Sequence, residues 1–469
     1  LLLGIPLLYL AWQNSILGNK GIAIETEQMI LNPQISKAVE QLNYRVTVGD
    51  VAAQAGLEIN TAQQGLLALA SDAGGHLQVA DTGEIVYLFP SNFRTILRNK
   101  YWKLRLQQWW EKVWKVLFYL IRISFGIILI ASILLMLVAI AIIIISISSS
   151  RDGDNDNRSS RSYGGGGGYL FMPRFWIGPD LFWFFDPNYS SYRRQRRQRN
   201  TIATGTGEPE MNFLEAIFSF LFGDGNPNDD LEETRWQTIG ALIRNNGGAV
   251  VAQQIAPYLD AVDPDEDYMI PVLSRFNGYP EVSPRGEIIY YFPELQVMAT
   301  QRKQQSVGAY LKEQLWRFSQ ATSNQRMLAI GLGAVNFILA LVLGSLLQDG
   351  TIAAELGGLV AFVASIYWVL VGYAVAFLAI PLIRYFWIQG RNRKIEARNQ
   401  QRQQRAIALN EADAPLRQKI NFARQFATQK VIGKEDITYT TETDVVDQSW
   451  QNADKIDEEW RRRLDSGSA

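Results

Sequence analysis

The sequence predicts a membrane α-helical protein, with about three transmembrane helices, that also carries two small α+β repeats and a helical C-terminal tail. Three observations predict this: a long uncharged apolar segment, a pair of apolar segments with basic outer ends, and a 17-residue motif that recurs 203 positions later.

The first apolar segment, Ser124 to Ile147, contains no charged residue. At about 1.5 Å per residue it is long enough to cross a hydrocarbon core of about 30 Å. Just upstream, Trp102, Trp109, Trp110 and Trp114 alternate with Lys103, Arg105, Lys112 and Lys115. Indole rings beside basic side chains favour the headgroup zone, so these eight residues are the expected membrane-interface set. Two further spans are expected at Met327–Leu347 and Leu356–Ile383. Their connector holds Asp349 and Glu355, whereas Arg317, Arg326, Arg384, Arg391, Arg393, Lys394 and Arg398 flank their outer ends. The positive-inside rule places those outer ends, and the tail, in the cytoplasm or its equivalent. Small or polar residues at helical spacing, Asn336, Ala340 and Gly344 on one segment and Ala353, Gly357, Ala361 and Ser365 on the other, mark the expected packing faces. No span carries a central Asp, Glu, Lys or Arg, which disfavours an ion-coupled transporter.

The recurring motif is GGHLQVADTGEIVYLFP at 74–90 and NGYPEVSPRGEIIYYFP at 277–293. Each copy reads as two alternating strands about a turn, and the constant offset argues for duplication. Upstream lie three helical patterns, Pro33–Leu42, Val48–Ala55 and Thr61–Ser71 in the first copy, then Thr234–Arg244, Val250–Tyr258 and Glu266–Phe276 in the second. Three helices followed by a hairpin resemble a winged helix, with Gly56 at the turn of a helix-turn-helix. The charges oppose DNA binding. Thr61–Ser71 holds neither Lys nor Arg, and Asp263, Asp265, Glu266 and Asp267 precede the single Arg275. A helix in a DNA groove needs cations to neutralise phosphates. Protein interaction is the expected use of the fold.

These readings divide the chain into an apolar segment (1–23), repeat 1 (24–97), an interfacial helix and first span (98–147), a flexible Gly/Arg-rich and aromatic linker (148–230), repeat 2 (231–297), a connector helix (298–326), a hairpin of spans (327–383) and the tail (384–469). Residues 1–12 lack the basic region and cleavage site of a signal peptide, and read equally as the end of a further membrane helix or as an apolar cap. Within the linker, the aromatic stretch YLFMPRFWIGPDLFWFFDP is broken by Pro173, Pro179 and Asp180. Arg193, Arg194, Arg196, Arg197 and Arg199 follow, and are either lipid-headgroup ligands or a solvated run. The glycine run 164–168 lacks the strand, helix and Lys-Ser/Thr of a phosphate cradle. A single crossing at 117–147 sets the two repeats on opposite faces of the membrane. A second crossing or re-entrant turn within 117–186 sets them on the same face, and similar domains ordinarily share a compartment. The tail reads as helical, basic and glutamine-rich over 384–430, with a short β-prone stretch at 431–447 and an acidic helix ending in EEWRRRL.

Lys and Arg (45) nearly balance Asp and Glu (46), so no polyanionic partner is implied for the whole chain. The chain has no cysteine and one histidine, His76, which excludes disulfides, thiolate chemistry and multi-histidine metal sites. No enzyme, cofactor or metal is expected, and bound lipid or pigment is left open. The expected function is a non-enzymatic membrane scaffold or assembly factor that binds other membrane proteins or itself. An oligomeric channel or transporter and a membrane-tethered DNA-binding regulator are the alternatives.

The segments GEIVYLFP, GEIIYYFP, WFFDPNYSSY and KEDITYTTETDVVDQ resemble a family of cyanobacterial and chloroplast thylakoid membrane proteins. Plant members of that family are sometimes labelled iron–sulfur cluster biosynthesis proteins. The resemblance implies a thylakoid or plasma membrane in a photosynthetic organism, a place near photosynthetic complexes, and no defined activity. A chain without cysteine holds no conventional cluster.

Overall fold

The computed structural model describes residues 32–100, 102–151, 211–301, 303–348, 350–444 and 446–448, with the single residues 457, 460, 461 and 464. The first copy runs α1 (Pro33–Gln41), β1 (Arg45–Thr47), α2 (Val48–Ala55), α3 (Ile59–Ala73), β2 (His76–Ala80), β3 (Ile85–Leu88) and α4 (Phe93–Lys100). Then come α5 (Trp102–Arg151) and α6 (Phe213–Phe222). The second copy runs α7 (Leu231–Asn245), β4 (Ala249–Val250), α8 (Ala252–Ile255), α9 (Ile270–Phe276), β5 (Tyr279–Val282), β6 (Ile288–Tyr291), α10 (Pro293–Gln296) and β7 (Val297–Met298). The remainder is α11 (Ser323–Leu346), α12 (Gly350–Leu356), α13 (Gly358–Asn410), α14 (Ala414–Gln425), β8 (Lys430–Val431) and β9 (Ile437–Thr440). These elements form two compact units: residues 1–107, 228–314 and 395–469, and residues 108–227 and 315–394.

In the first unit both copies share one element order, helix, short strand, two helices and a hairpin, and one strand order, β1-β3-β2 and β4-β6-β5. The reason lies in local chemistry. Thr47 caps α2 by accepting from the Asp50 amide, while the Asp50 carboxylate accepts from Thr47 N at 3.0 Å, a reciprocal capping box. Gly56 ends α2 with φ +67°, a left-handed conformation suited to glycine. The two copies contribute to a single core, in which Val51, Ala52, Leu66, Tyr87 and Phe93 join Ile239, Ile243, Met269, Phe276 and Phe292. α2 packs directly on α7. A side chain at Gly240 would meet Ala53 Cα at 2.9 Å, so only glycine admits this approach. Buried Asp50 closes the contact by also accepting from Arg244 and, at 3.0 Å, from the Ala299 amide.

The stretch of the tail expected to be β-prone, 431–447, does form strand. The β-branched alternation Ile437-Thr438-Tyr439-Thr440 forms β9, which joins the first copy's hairpin in the order β1-β3-β2-β9. β8 pairs in parallel with β7, and Ile432 is buried with Ala80, Val86 and Ala299. α14 packs Ala423, Ile420 and Leu416 onto Val251 and Ile289 of the second copy. Segment 414–440 therefore touches both copies. The second copy's middle helix is also shorter than expected, being α8 plus a 3-10 turn at Ala256–Tyr258.

The connector helix expected over 298–326 is absent: residues 299–301 and 303–322 carry no helix. Side chains take the backbone groups that a helix would pair with itself. In the first unit Asn399 accepts from Glu313 N at 2.9 Å and donates to Glu313 O at 2.9 Å, and Arg402 donates to Leu311 O at 3.0 Å. In the second unit Asn392 accepts from Trp316 N at 2.8 Å and donates to Trp316 O at 3.0 Å.

The second unit contains helices long and apolar enough to cross a membrane, namely Lys112–Ser149 of α5, α11, and α13, which runs on past the unit boundary at Lys394. One cluster joins Phe125, Leu129 and Ile133 of α5 to Ala329 and Phe377, and to Phe213, Ile217 and Phe220 of α6. A second joins Met136, Ala139 and Ile143 to Ala340, Leu343, Val360, Val363 and Leu370. Helix α6 falls inside the stretch expected to be a flexible linker, since an apolar run of ten residues is too short to register as a span. Gly357 and Gly358, at φ +55° and +49°, break the chain between α12 and α13, so the third apolar helix begins at Gly358 rather than Leu356.

Replacing Gly240 by Val forces the new methyls against Ala53. Such overpacking costs about 1–3 kcal/mol. A thermal melt of the detergent-solubilised chain is expected to show a lower midpoint for Gly240→Val, while Gly390→Ala, in α13 at a position where an added Cβ meets nothing and φ is not positive, does not lower it.

Candidate interaction surface

The helix that follows the turn in each copy is where a groove-reading side chain would stand. In α3 the outward residues are Asn60, Gln63, Gln64, Leu67 and Ser71, all exposed and none charged. In the second copy Ile270 and Ser274 are exposed on α9, but Arg275 turns inward. Its guanidinium donates to Gly56 O at 2.6 Å and lies 4.2 Å from the centre of the Trp236 ring. The one cation of α9 is therefore spent on holding the copies together.

The hairpins differ at their outer edges. In the first copy Leu77 N donates to Thr441 Oγ1 at 2.9 Å and Leu77 O accepts from Thr441 N at 2.9 Å. The residue 203 positions on is Pro280, which has no N–H. β5 gains no outer strand among the described residues, and proline on an exposed edge blocks one. His76 lies on the same seam, Nδ1 3.3 Å from Thr441 O.

An open groove of about 520 Å³ lies between the second hairpin and α14, lined by Asp265, Glu266, Glu287, Ile288, Asp413 and Leu416 among others. Its central carboxylate is fully engaged: Glu266 accepts from Lys419 Nζ at 2.7 Å, Gln253 Nε2 at 2.9 Å and Tyr290 Oη at 3.0 Å. Burial, with Glu266 adding to it, pushes the Tyr290 phenol above the usual tyrosine range, so it stays a proton donor. Among the described residues no group of three or more Asp, Glu or His is placed to hold a metal ion.

The same unit holds an ion network centred on buried Arg402 and Glu313. Arg398 grips Glu313 with two bonds, 2.7 and 2.6 Å, and buried Arg402 reaches both Glu313, at 2.9 Å, and Asp260. Arg235 completes it at 2.7 Å from Asp260. Burial alone raises the Glu313 carboxyl, but the hydrogen bonds and charges of Arg398 and Arg402 outweigh it and hold the group below the usual range. The same balance, with Arg402 and Arg235, lowers Asp260. Neither the network nor segment 311–313 was marked in the sequence, although Asn392 and Asn399, seven residues apart on one helix face, were the available signal.

The expected membrane-interface residues all lie on α5. Trp109, Trp110, Lys112 and Lys115 are exposed and Trp114 is half-buried; the side chains of Trp102, Lys103 and Arg105 lie outside the described residues, as does the cluster Arg193, Arg194, Arg196, Arg197 and Arg199. Of the expected packing residues, Asn336 and Ala340 are buried, Ser132 Oγ donates to Asn336 Oδ1 at 2.8 Å, and Gly344 faces the Tyr367 ring. The face Ala353, Gly357, Ala361 and Ser365 does not form. The glycine break puts Ala353 on α12, and Ser365 is exposed and bonds back to Phe362 O. Val360, Val363 and Leu370 are the buried residues there instead, because the break resets the helical phase at Gly358.

The chain is 42% identical over 445 residues, 91% of its own length and 81% of the relative's, to a protein of Arabidopsis thaliana described as "Uncharacterized protein At5g03900, chloroplastic". The chain belongs to the family of that plant protein. The relative's description places it in the chloroplast and names no activity. No family model matches the chain, and no solved structure does. A family with a chloroplastic member, and three helices of membrane-spanning length and composition, are compatible with a thylakoid setting.

The lowered carboxylates set an acid limit. A group whose folded pKa lies below its unfolded value stabilises the fold above the unfolded value, about 4 for these acids, and loses that contribution as pH falls through the folded value. Unfolding midpoints are expected to hold steady from neutrality down to about pH 5 and to drop below about pH 4. Glu313→Gln flattens that drop while lowering the midpoint at pH 7.

Proposed function

We propose that this chain is a non-enzymatic scaffold or assembly factor of a plastid or photosynthetic membrane, and that its two copies are winged-helix-like modules binding protein rather than DNA. The observation that carries the reading is the outer face of α3: uncharged, free of Lys and Arg, and exposing Leu67. Three further features support it. Each copy has the helix, strand, helix, helix, hairpin order of a winged helix. Arg275, the cation best placed for phosphate, is turned inward. The central carboxylate of the groove, Glu266, serves an ion pair with Lys419 rather than a nucleophile or base.

In this reading the exposed Trp109, Trp110, Lys112 and Lys115 lie at headgroup level. The basic ends, including Arg317, Arg326, Arg391, Arg393 and Lys394, face the cytoplasm or stroma, and the tail with them. The partner is another membrane protein, a photosynthetic complex, or a second copy of the chain.

Leu67 is exposed, so Leu67→Asp leaves the melting midpoint near that of the parent. Mild-detergent purification of the tagged chain from native membranes is expected to yield a stoichiometric partner or self-association that Leu67→Asp loses. A monodisperse chain with no partner argues against the reading. Tight, steeply salt-dependent DNA binding by the same preparation favours the regulator instead.

A further inference from the structure

We infer that the corner formed by Trp316, Trp387 and Arg391 binds the anionic headgroup of a membrane lipid. The inference rests on reading the apolar helices as spans, and every residue of the corner lies in the second unit.

Residues 358–383 of α13 hold no charge. At about 1.5 Å per residue they extend about 39 Å, more than the hydrocarbon thickness of about 30 Å. Arg384 is the first charge beyond them, and it is engaged inside the unit. It donates to Phe220 O at 3.0 Å and to Phe318 O, and lies 4.7 Å from the centre of the Phe318 ring. Two turns and about 10 Å further along the same helix face stands Arg391. That step carries it past the hydrocarbon edge to headgroup level. Tyr385, Phe386 and Trp387, between the two arginines, are exposed, as rings at a membrane–water boundary are.

Arg391 is held in place but not neutralised. Its guanidinium carbon lies 4.7 Å from the centre of the Trp316 ring and 5.2 Å from that of Trp387. The two rings meet at 83° with centres 5.4 Å apart. Asn392 fixes Trp316 through both of its backbone groups. The π-clouds attract the cation without giving its N–H groups an oxygen to bond. Among the described residues Arg391 is exposed and makes no hydrogen bond or ion pair. The Trp316 indole N–H, shielded from solvent, has no acceptor either. No acidic residue occurs between Glu313 and Asp349 or between Glu355 and Glu396. The corner is therefore a fixed positive donor with no acceptor beside it. Its complement is an anion with several oxygens, such as a phosphate ester, which a guanidinium fork binds through two N–H groups.

A lipid suits the surroundings better than a free anion. Ile383, Trp387 and Arg391 follow one another at i, i+4 along α13, and Ile383, Leu382 and Phe386 are exposed. A headgroup on Arg391 sets its acyl chains along those apolar side chains, and burying them adds a contribution that inorganic phosphate lacks. Arg393 and Lys394, both exposed, add attraction for a negative membrane surface.

The full-length chain in mild detergent is titrated with phosphatidylglycerol and with phosphatidylcholine of the same acyl chains, and bound lipid is counted by native mass spectrometry. Phosphatidylglycerol is expected to bind more tightly than phosphatidylcholine. Arg391→Gln is expected to weaken it by about tenfold, Trp387→Leu to weaken it in the same direction, and Arg393→Gln to change it by less than about twofold. Both corner positions are exposed, so both variants are expected to keep the parent's melting midpoint. Unchanged binding by Arg391→Gln overturns the site, and so does an equal loss in Arg393→Gln, which shows diffuse surface charge. Displacement of the lipid by inorganic phosphate at the lipid's own concentration overturns the lipid as occupant. Release of the chain from membranes by alkaline carbonate overturns the spans, and the inference with them, whatever the variants do.

Discussion

The close approach of α2 to α7 is the constraint on which the architecture of the first unit depends. Two helices from separate copies touch because Gly240 leaves room for Ala53. The contact then buries Asp50 completely. A buried carboxylate is costly unless its acceptor capacity is filled. Here the capping box, Arg244 and the Ala299 amide fill it, and each of those partners commits more of the chain. Arg244 fixes the second copy's first helix, and Ala299 fixes the start of the non-helical segment that follows that copy.

The two halves that share this element order differ around the contact. Leu77 keeps its N–H and receives strand β9 from the tail, whereas Pro280 at the same place in the motif has none. The second copy is instead covered on its sheet face by α14, through Ile289 and Ala423. Arg275 follows the same logic. In a DNA-binding winged helix a cation on the last helix would face outward, and here it stacks on Trp236. The tail and the inward arginine together use surface that a free module would present to a ligand, leaving the uncharged face of α3 exposed.

Much of this was legible in the sequence. Helix α2 was read to the residue, with Gly56 marking its end. The hairpins followed from alternation about a glycine turn. The three long apolar helices followed from length and lack of charge, and Asn336 from its isolation in an apolar run. The misses have physical causes. Segment 299–322 looks helical by composition, but Asn392, Asn399, Arg402 and Arg384 take its backbone groups, and none is near it in sequence. The partner of Ile437–Thr440 lies more than 350 residues away, so periodicity shows that a strand exists but not where it pairs. The face at Ala353–Ser365 was drawn through Gly357, and positive φ there ends the helix on which that spacing was counted.

The central claim is that the two copies and the tail segment fold as one cooperative body. Hydrogen exchange on the intact chain in detergent reads this directly, since amides in independent modules open with separate free energies. Amides of β3 and β6, one from each copy, are predicted to exchange through a common opening with the same free energy and the same response to denaturant. Exchange of β6 at a clearly lower free energy, while β3 stays protected, would contradict a shared core.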